Sequence, residues 1–392
     1  MIQLRLAACL VGLLFTIAQT VHADGLVLNV GYLRLEEPPR PVLSNLDPIP
    51  EDRGIAGAAL GRSDNATTGQ FLGHSYTMDV VSLPPDGDVV DAARTMLAAS
   101  RVVILDMPAG ALLQVADLPE AQGALLFNVT AQDARLRDGD CRANLLHARP
   151  ELAMEADALM QVMLAKRWGK IALIEGPTPE DAALAQAYRT SARKFGLKIV
   201  SDKAWTFDTD LRRAAATEVP LFTQGFKKHD VILVADAHDD FARYIEHNTW
   251  EPRPVIGSTG LQALAWSPVV EQWGAAQLQS RFEDQSARRM WPRDYAAWAA
   301  MRSIGEAVTR TGQTTPDALR SYILSDAFEL AAFQGRALSY RAWNGQLRQP
   351  IPVVNARAQV AAAPLDGFEH ARNPLDSLGL DQPESACTAF GE

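Results

Sequence analysis

The most polar short run in the chain is Asp236-Ala237-His238-Asp239-Asp240, which sets three carboxylates and an imidazole within five residues. Such side chains can hold a hard cation through oxygen, grip a polar ligand, or satisfy the unpaired N–H groups that open a helix. The spacing favours the helix over the metal. Asp236 or His238 serves as the cap, and Asp239 and Asp240 then lie in the first turn, against the positive end of the dipole. A ligand contact stays open beside that reading, because the run directly follows the apolar stretch Val231 to Val234.

Catalytic signatures are missing elsewhere. The sequence holds no G-x-S-x-G nucleophile turn, no G-x-x-x-x-G-K-[ST] phosphate loop, no H-E-x-x-H and no EF-hand loop. Ser258, in Gly257-Ser258-Thr259-Gly260, stands where a hydroxyl after a strand caps a helix or meets a ligand. Gly54, Gly57 and Gly61 lack dinucleotide-loop spacing and read as close packing along a helix. The expectation is a binding protein, not an enzyme, with no metal and no cofactor.

The elements that carry these loops alternate. Apolar runs at Leu26 to Val30, Val102 to Leu105, Ala124 to Phe127, Ile171 to Ile174, Val231 to Val234 and Pro254 to Ile256 suit parallel strands buried on both faces. Between them, Leu152, Ala156, Leu159 and Met163 recur at helical spacing after Pro150, placed in a first turn. Leu184, Tyr188, Ala192 and Phe195 do the same before Gly196. The rhythm predicts right-handed βαβ units in doubly wound sheets. Beyond Leu261 the texture changes. Trp266 to Arg289 reads as irregular, Pro292 to about Thr311 as a long helix, and Pro316 opens a shorter one. Trp343-Asn344-Gly345-Gln346 reads as a hairpin turn between Leu338-Ser339-Tyr340 and Ile351 to Val354. Glu36 to Asp52 is a proline-rich loop, and 364–392 a mostly irregular tail. Of the tryptophans in the second half, most are expected in the core or at a domain interface, with one available as a cleft wall.

Compartment is read from the N-terminus. Arg5, the apolar run Leu6 to Ile17 and Val21-His22-Ala23 have the layout of a cleaved signal peptide over 1–23. Leu6-Ala7-Ala8-Cys9 imitates a lipoprotein box, but the apolar run continues past Cys9. Removing 1–23 leaves 36 basic against 47 acidic groups, a balance of −11. An acidic chain without a basic block is not expected to bind nucleic acid, and no later apolar stretch is long enough for membrane insertion. Cys141 and Cys387 belong to no metal spacing. An oxidising compartment lets them pair or remain two thiols.

The order of elements resembles the leucine/isoleucine/valine-binding type of ABC-transporter solute receptor, a type I periplasmic binding protein. The landmarks are Asn29-Val30-Gly31-Tyr32, Gly54-Ile55-Ala56-Gly57-Ala58, Trp168-Gly169-Lys170-Ile171-Ala172-Leu173-Ile174 and Trp343-Asn344-Gly345-Gln346. Asp138 to His147, Gly345 to Pro350 and Leu380 to Cys387 are similar to a branch found beside pyrroloquinoline-quinone-dependent alcohol dehydrogenase systems. The resemblance implies a periplasmic α/β protein with two doubly wound parallel-sheet lobes joined by a three-crossover hinge. Lobe one would hold 24–149 and 266–333, lobe two 150–265 and 334–363. It implies a small-molecule ligand between the lobes and the membrane subunits of an ABC transporter as partners. The rival expectation is a scaffold of the same fold, acting through protein contacts without a ligand.

The resemblance also implies a ligand set. Val129 and Thr130 fall where the family uses a backbone group and a hydroxyl for an amino acid's charged ends. His238 falls where an aromatic ring often stands, Glu180 near another such position, and Thr259 where an acid often takes the ammonium. Met107-Pro108-Ala109-Gly110 replaces a hydroxyl-rich carboxylate grip, so Ala109 and Gly110 offer only backbone N–H groups. The lost hydroxyls and the lost acid at Thr259 argue against a free amino acid as ligand.

Overall fold

The computed structural model describes residues 25–40, 49–206 and 211–391. The expected signal peptide, 1–23, and the middle of the proline-rich loop lie outside the described residues. The first sheet comprises β1 (Val27–Leu35), β2 (Ser75–Leu83), β3 (Val102–Asp106), β4 (Leu125–Asn128) and β5 (Leu145–His147), all parallel, in the order β2-β1-β3-β4-β5. Its crossover helices are α1 (Ile55–Leu72), α2 (Val89–Ala99) and α3 (Ala109–Ala116).

A second parallel sheet follows, built from β6 (Lys170–Glu175), β7 (Lys198–Ala204), β8 (Val231–Ala235) and β9 (Val255–Gly257), in the order β7-β6-β8-β9. It is flanked by α4 (Leu152–Ala165), α5 (Pro179–Lys194), α6 (Leu211–Thr223) and the short α7 (Ala242–Ile245). Each sheet separates apolar layers on its two faces, as the continuous apolar runs of β3 and β8 require: every residue of both strands is buried.

The remaining elements divide between the two bodies. After β10 (Gln262–Ala263), the helices α8 (Ala275–Ser286), α9 (Pro292–Thr311) and α10 (Pro316–Ile323) return to the first sheet's core. Glycine lets α1 and α9 meet. A Cβ on Gly57 would stand 1.9 Å from the Asp294 carbonyl oxygen, and Trp266, Tyr295 and Trp298 stack beside this seam with ring centroids 4.8 and 5.6 Å apart.

β11 (Ser339–Tyr340) pairs antiparallel with β12 (Leu347–Arg348), and Tyr340 and Leu347 sit in the first sheet's core. β13 (Ile351–Val354) instead joins β10 and β14 (Gln359–Ala363), with Ile351 and Val353 in the second core. The second core is therefore first reached beyond Gln349-Pro350, and β13 touches both cores, since Val354 belongs to the first.

Several local expectations are corrected. Pro150 precedes the helix it was placed in, since Glu151 is the N-cap of α4. Trp266 to Arg289 contains a helix, because Ala275, Leu278, Gln279 and Phe282 bury one face despite the Gln-rich sequence. The Asn-Gly turn is present, with Gly345 at φ 70°, but its return arm is Leu347-Arg348 and not Ile351 to Val354.

The C-terminal tail runs back over both bodies. Asp157 accepts from the Gly379 N–H at 2.8 Å, Asp138 accepts from Ala386, and Cys141 and Cys387 form a disulfide with their Cα atoms 5.6 Å apart.

Candidate functional site

In each parallel sheet the chain winds outward in two directions from one pair of strands, and loops diverge beyond the carboxyl ends of that pair. Ligands of open α/β sheets bind there. In the first sheet the pair is β1 and β3, with Arg34 opposite Asp106 in the register. In the second it is β6 and β8, with Glu175 opposite Ala235 and Asp236 next along. Arg40, five residues past β1, ion-pairs at 3.0 Å with Asp240, five residues past β8. The two sets of strand tips face one another.

At the first set, a buried charge cluster is assembled from six segments. Asp106, 1% exposed at its side chain, accepts from the Tyr32 hydroxyl at 2.9 Å and from the Thr130 hydroxyl. Arg293 Nη1 lies 3.4 Å from the same carboxylate and Arg34 Nε 4.0 Å away. Glu37 is shared by two guanidiniums, accepting from Arg293 and, at 3.3 Å, from Arg53. Arg53 in turn lies over the Trp291 ring, 5.8 Å from its centroid. Arg149, past β5, donates to Gln132 at 3.0 Å and faces Glu155 of α4 at 3.6 Å. Gly54 allows the crowding: it caps α1 at φ 85°, and a Cβ there would meet the Tyr32 hydroxyl at 2.4 Å.

The electrostatics follow from this crowding. Burial pushes the Tyr32 phenol well up, and the adjacent Asp106 pushes it further, so it stays a neutral donor. Burial would raise Glu37, but Arg293 and Arg53 outweigh it and hold the carboxyl at about 2. Burial lowers the pKa of Arg53 and Arg149, with Arg293 adding repulsion to both. Arg293 moves the other way. Burial disfavours its charge, yet Asp106 and Glu37 more than compensate.

The second set is dominated by a backbone cage. Asp236 accepts from the N–H groups of Phe241 at 2.7 Å, Ala242 at 2.8 Å and Asp240 at 3.0 Å and so fixes the turn leading into α7. The N-cap of that helix is Phe241, not Asp236 or His238, and Asp239 and Asp240 precede its first turn. Burial nevertheless leaves its pKa raised. Ser258 caps no helix: its hydroxyl accepts from the Asp236 N–H at 2.8 Å and fixes the β8 tip to the β9 tip. Asp181 closes the capping box of α5 and reaches across to the Ala237 N–H. Arg189 ties Glu175 and Asp202 together. Among the described residues, no group of three or more His, Cys, Asp or Glu side chains could hold a metal ion.

The sequence-predicted residues fall into two groups. Ala109, Gly110, Val129 and Thr130 lie at the carboxyl edge of the first sheet. Ala109 and Gly110 open α3, with Gly110 exposed and no other atom within 4 Å of a Cβ built on it. Val129 is fully buried, and Thr130 joins the Asp106 cluster. Glu180, His238 and Thr259 lie at the edge of the second sheet. His238 Nε2 is 3.7 Å from the Glu180 carboxylate, and the Thr259 hydroxyl donates to Glu246 at 3.2 Å.

Sequence reasoning missed Tyr32, Arg34, Glu37, Arg53, Asp106, Arg149 and Arg293. Arg34 and Asp106 carried a usable signal, since Asp106 closes an apolar strand and Arg34 stands one residue before the end of another. Of the tryptophans, Trp266 and Trp298 are in the core, Trp250 and Trp273 are exposed, and Trp291 flanks the cluster.

Solved structures share this arrangement over most of the chain. A periplasmic binding protein from Burkholderia mallei superposes with a TM-score of 0.66 at 13% identity, covering 94% of this chain and all of its own. The fold is that of the type I periplasmic binding proteins. A branched-chain amino acid ABC transporter periplasmic ligand-binding protein from Burkholderia xenovorans gives a TM-score of 0.70 at 15% identity, over 93% of this chain and all of its own. The leucine-, isoleucine-, valine-, threonine- and alanine-binding protein of Brucella ovis, in its closed conformation, gives 0.65 at 12% identity, over 91% of this chain and 96% of its own. No protein-family model and no curated protein matches the sequence. Among the described residues, no helix is long and apolar enough to cross a membrane.

Proposed function

We propose that this chain is the exported solute receptor of an ABC-type transport system. A small molecule would touch both sets of strand tips, favour their closed approach, and so present a docking surface to the membrane subunits. The observation that carries this reading is the pair of facing switch points, joined by Arg40 and Asp240. Groups from both sheets can then converge on one ligand and exclude water as they close. In this reading the hinge crosses near residues 149–150, 265–266 and 349–350, where core membership changes hands. A link to alcohol oxidation rests on the segments Asp138 to His147, Gly345 to Pro350 and Leu380 to Cys387.

Thermal unfolding with and without alcohols, their acid products and the quinone cofactor tests it. A ligand at a hundred times its Kd should stabilise the protein by about 2.7 kcal/mol. If no compound of that chemistry shifts the transition, the reading fails.

The scaffold alternative draws on one observation: Tyr32, Thr130 and Arg293 of the chain itself already surround Asp106. A small molecule released on denaturing the purified protein excludes it.

A further inference from the structure

The charge balance at the first sheet's edge runs against the charge of the whole chain. The formal net charge is −10, yet the guanidiniums of Arg34, Arg53, Arg149 and Arg293 gather there against the carboxylates of Glu37, Asp106 and Glu155. Four cations face three anions. The four side chains are 10 to 17% exposed, so the excess positive charge is largely withdrawn from water. Two of their donors are idle. Arg53 Nε and Arg149 Nη1 are buried and make no hydrogen bond, and Glu155 Oε1, 3.6 Å from Arg149 Nη2, is likewise a buried atom without a hydrogen-bond partner. A buried, unpaired guanidinium N–H is costly, and a carboxylate is the partner it matches best.

The facing edge constrains the rest of the ligand. Its carboxylates are mostly engaged: Asp236 and Asp181 by backbone N–H groups, Glu175 by Arg189, Asp239 by Arg243 and Asp240 by Arg40. Thr259, where an acid would serve an ammonium, is bonded to Glu246. An ammonium placed beside the four arginines would meet like charge: Asp106 is already surrounded, Glu37 is shared by Arg293 and Arg53, and Glu155, with one oxygen unbonded, stands against Arg149.

We propose that the cleft takes a small organic acid whose carboxylate docks on Arg53 and Arg149, in the field of Arg34 and Arg293, and that it rejects the corresponding α-amino acid. The proposal rests on the receptor reading above and names the class of solute. Arg34 and Arg293 are positioning residues, held by Asp106 and Glu37. Arg53 and Arg149 supply the free donors.

Calorimetric titration of the full mature chain tests it, using acetate, lactate, benzoate and succinate as probes. Ethanol, acetamide and alanine serve as matched controls, and any small molecule released on denaturation is identified by mass spectrometry. The expected result is binding of at least one acid and of none of its controls, weakened about tenfold or more in Arg53→Gln, a loss of about 1.4 kcal/mol. Arg149→Gln gives a second reading should the first variant fold poorly, and circular dichroism checks both. A released molecule bearing a carboxylate and no ammonium also supports the proposal. A neutral, cationic or zwitterionic ligand overturns it while leaving the receptor intact, as does acid binding unchanged in both folded variants. Absence of any bound or titrated small molecule overturns the receptor reading itself.

Discussion

Gly57→Ala sets two effects of known sign against each other. Gly57 lies inside α1, where alanine is the better helix former by about 1 kcal/mol, so propensity alone predicts a gain. Packing predicts the reverse. The new Cβ would stand 1.9 Å from the Asp294 carbonyl oxygen and 2.5 Å from its carbonyl carbon, where ordinary contact needs about 3.5 Å. The obstacle is backbone, so no side chain can rotate away, and α9 has to retreat by roughly 1.5 Å from its seam with α1. Overpacking of this kind costs about 1–3 kcal/mol and more where the obstacle is rigid.

The net expectation is a loss of about 2 kcal/mol, with Arg293, next to Asp294, carried away from Asp106 and Glu37. Urea unfolding followed by tryptophan fluorescence reads the first core, which holds Trp266 and Trp298. Gly110→Ala is the control. It also lies in a helix, nothing stands within 4 Å of its Cβ position, and it should change stability by no more than about 1 kcal/mol, as a gain. If Gly57→Ala matched or exceeded the parent, the close approach of α1 and α9 would be wrong.

Asp106→Asn should destabilise the unliganded protein by about 3–5 kcal/mol, since Arg34 and Arg293 lose their shared buried anion; a Tm within about 1 °C of the parent would contradict this. Cys387→Ser should cost about 2–5 kcal/mol and expose residues beyond 364 to limited proteolysis, and continued protection of the tail would show that the disulfide is not what pins it. Glu37 has a folded pKa of about 2 against an ordinary 4.5, so its stabilisation is complete above pH 4.5 and is lost as pH falls toward 2. Its side chain is 41% exposed, which leaves a contribution on the order of 1 kcal/mol after screening. In urea titrations at several pH values, Glu37→Gln should therefore be less stable than the parent at neutral pH, with the gap narrowing below pH 4.5 and closing as pH falls through about 2. A stability difference that ignores pH would refute the assignment.

The central strands were legible because burial on both faces leaves an unbroken apolar run. β3, β6 and β8 contain the stretches read as strands, while β4 and the edge strand β9 each begin one residue after the start of theirs. The edge strands β2 and β7 escaped notice, for each exposes residues along its length and carries Thr, Ser, Asp or Lys among its apolar positions. β1 was read too short because Gly31 and Arg34 interrupt the run, and that truncation hid Arg34 from the list of strand-end residues. α8 was missed for a related reason. Only its buried stripe is informative, and Gln279 belongs to that stripe through its bond with Trp266.

Local sequence decides which residues prefer to leave water and with what period. That was enough for the parallel α/β alternation. It cannot decide which buried faces meet. Arg293 and Glu37 lie 256 positions apart, and Cys141 and Cys387 lie 246 apart. No periodicity couples such residues, because their energies depend on distance and shared desolvation after the helices return to the first sheet. The arginine cluster therefore belongs to the tertiary structure: four guanidiniums that look like ordinary surface charges in the sequence are gathered into one largely buried cluster only when α9 packs against α1.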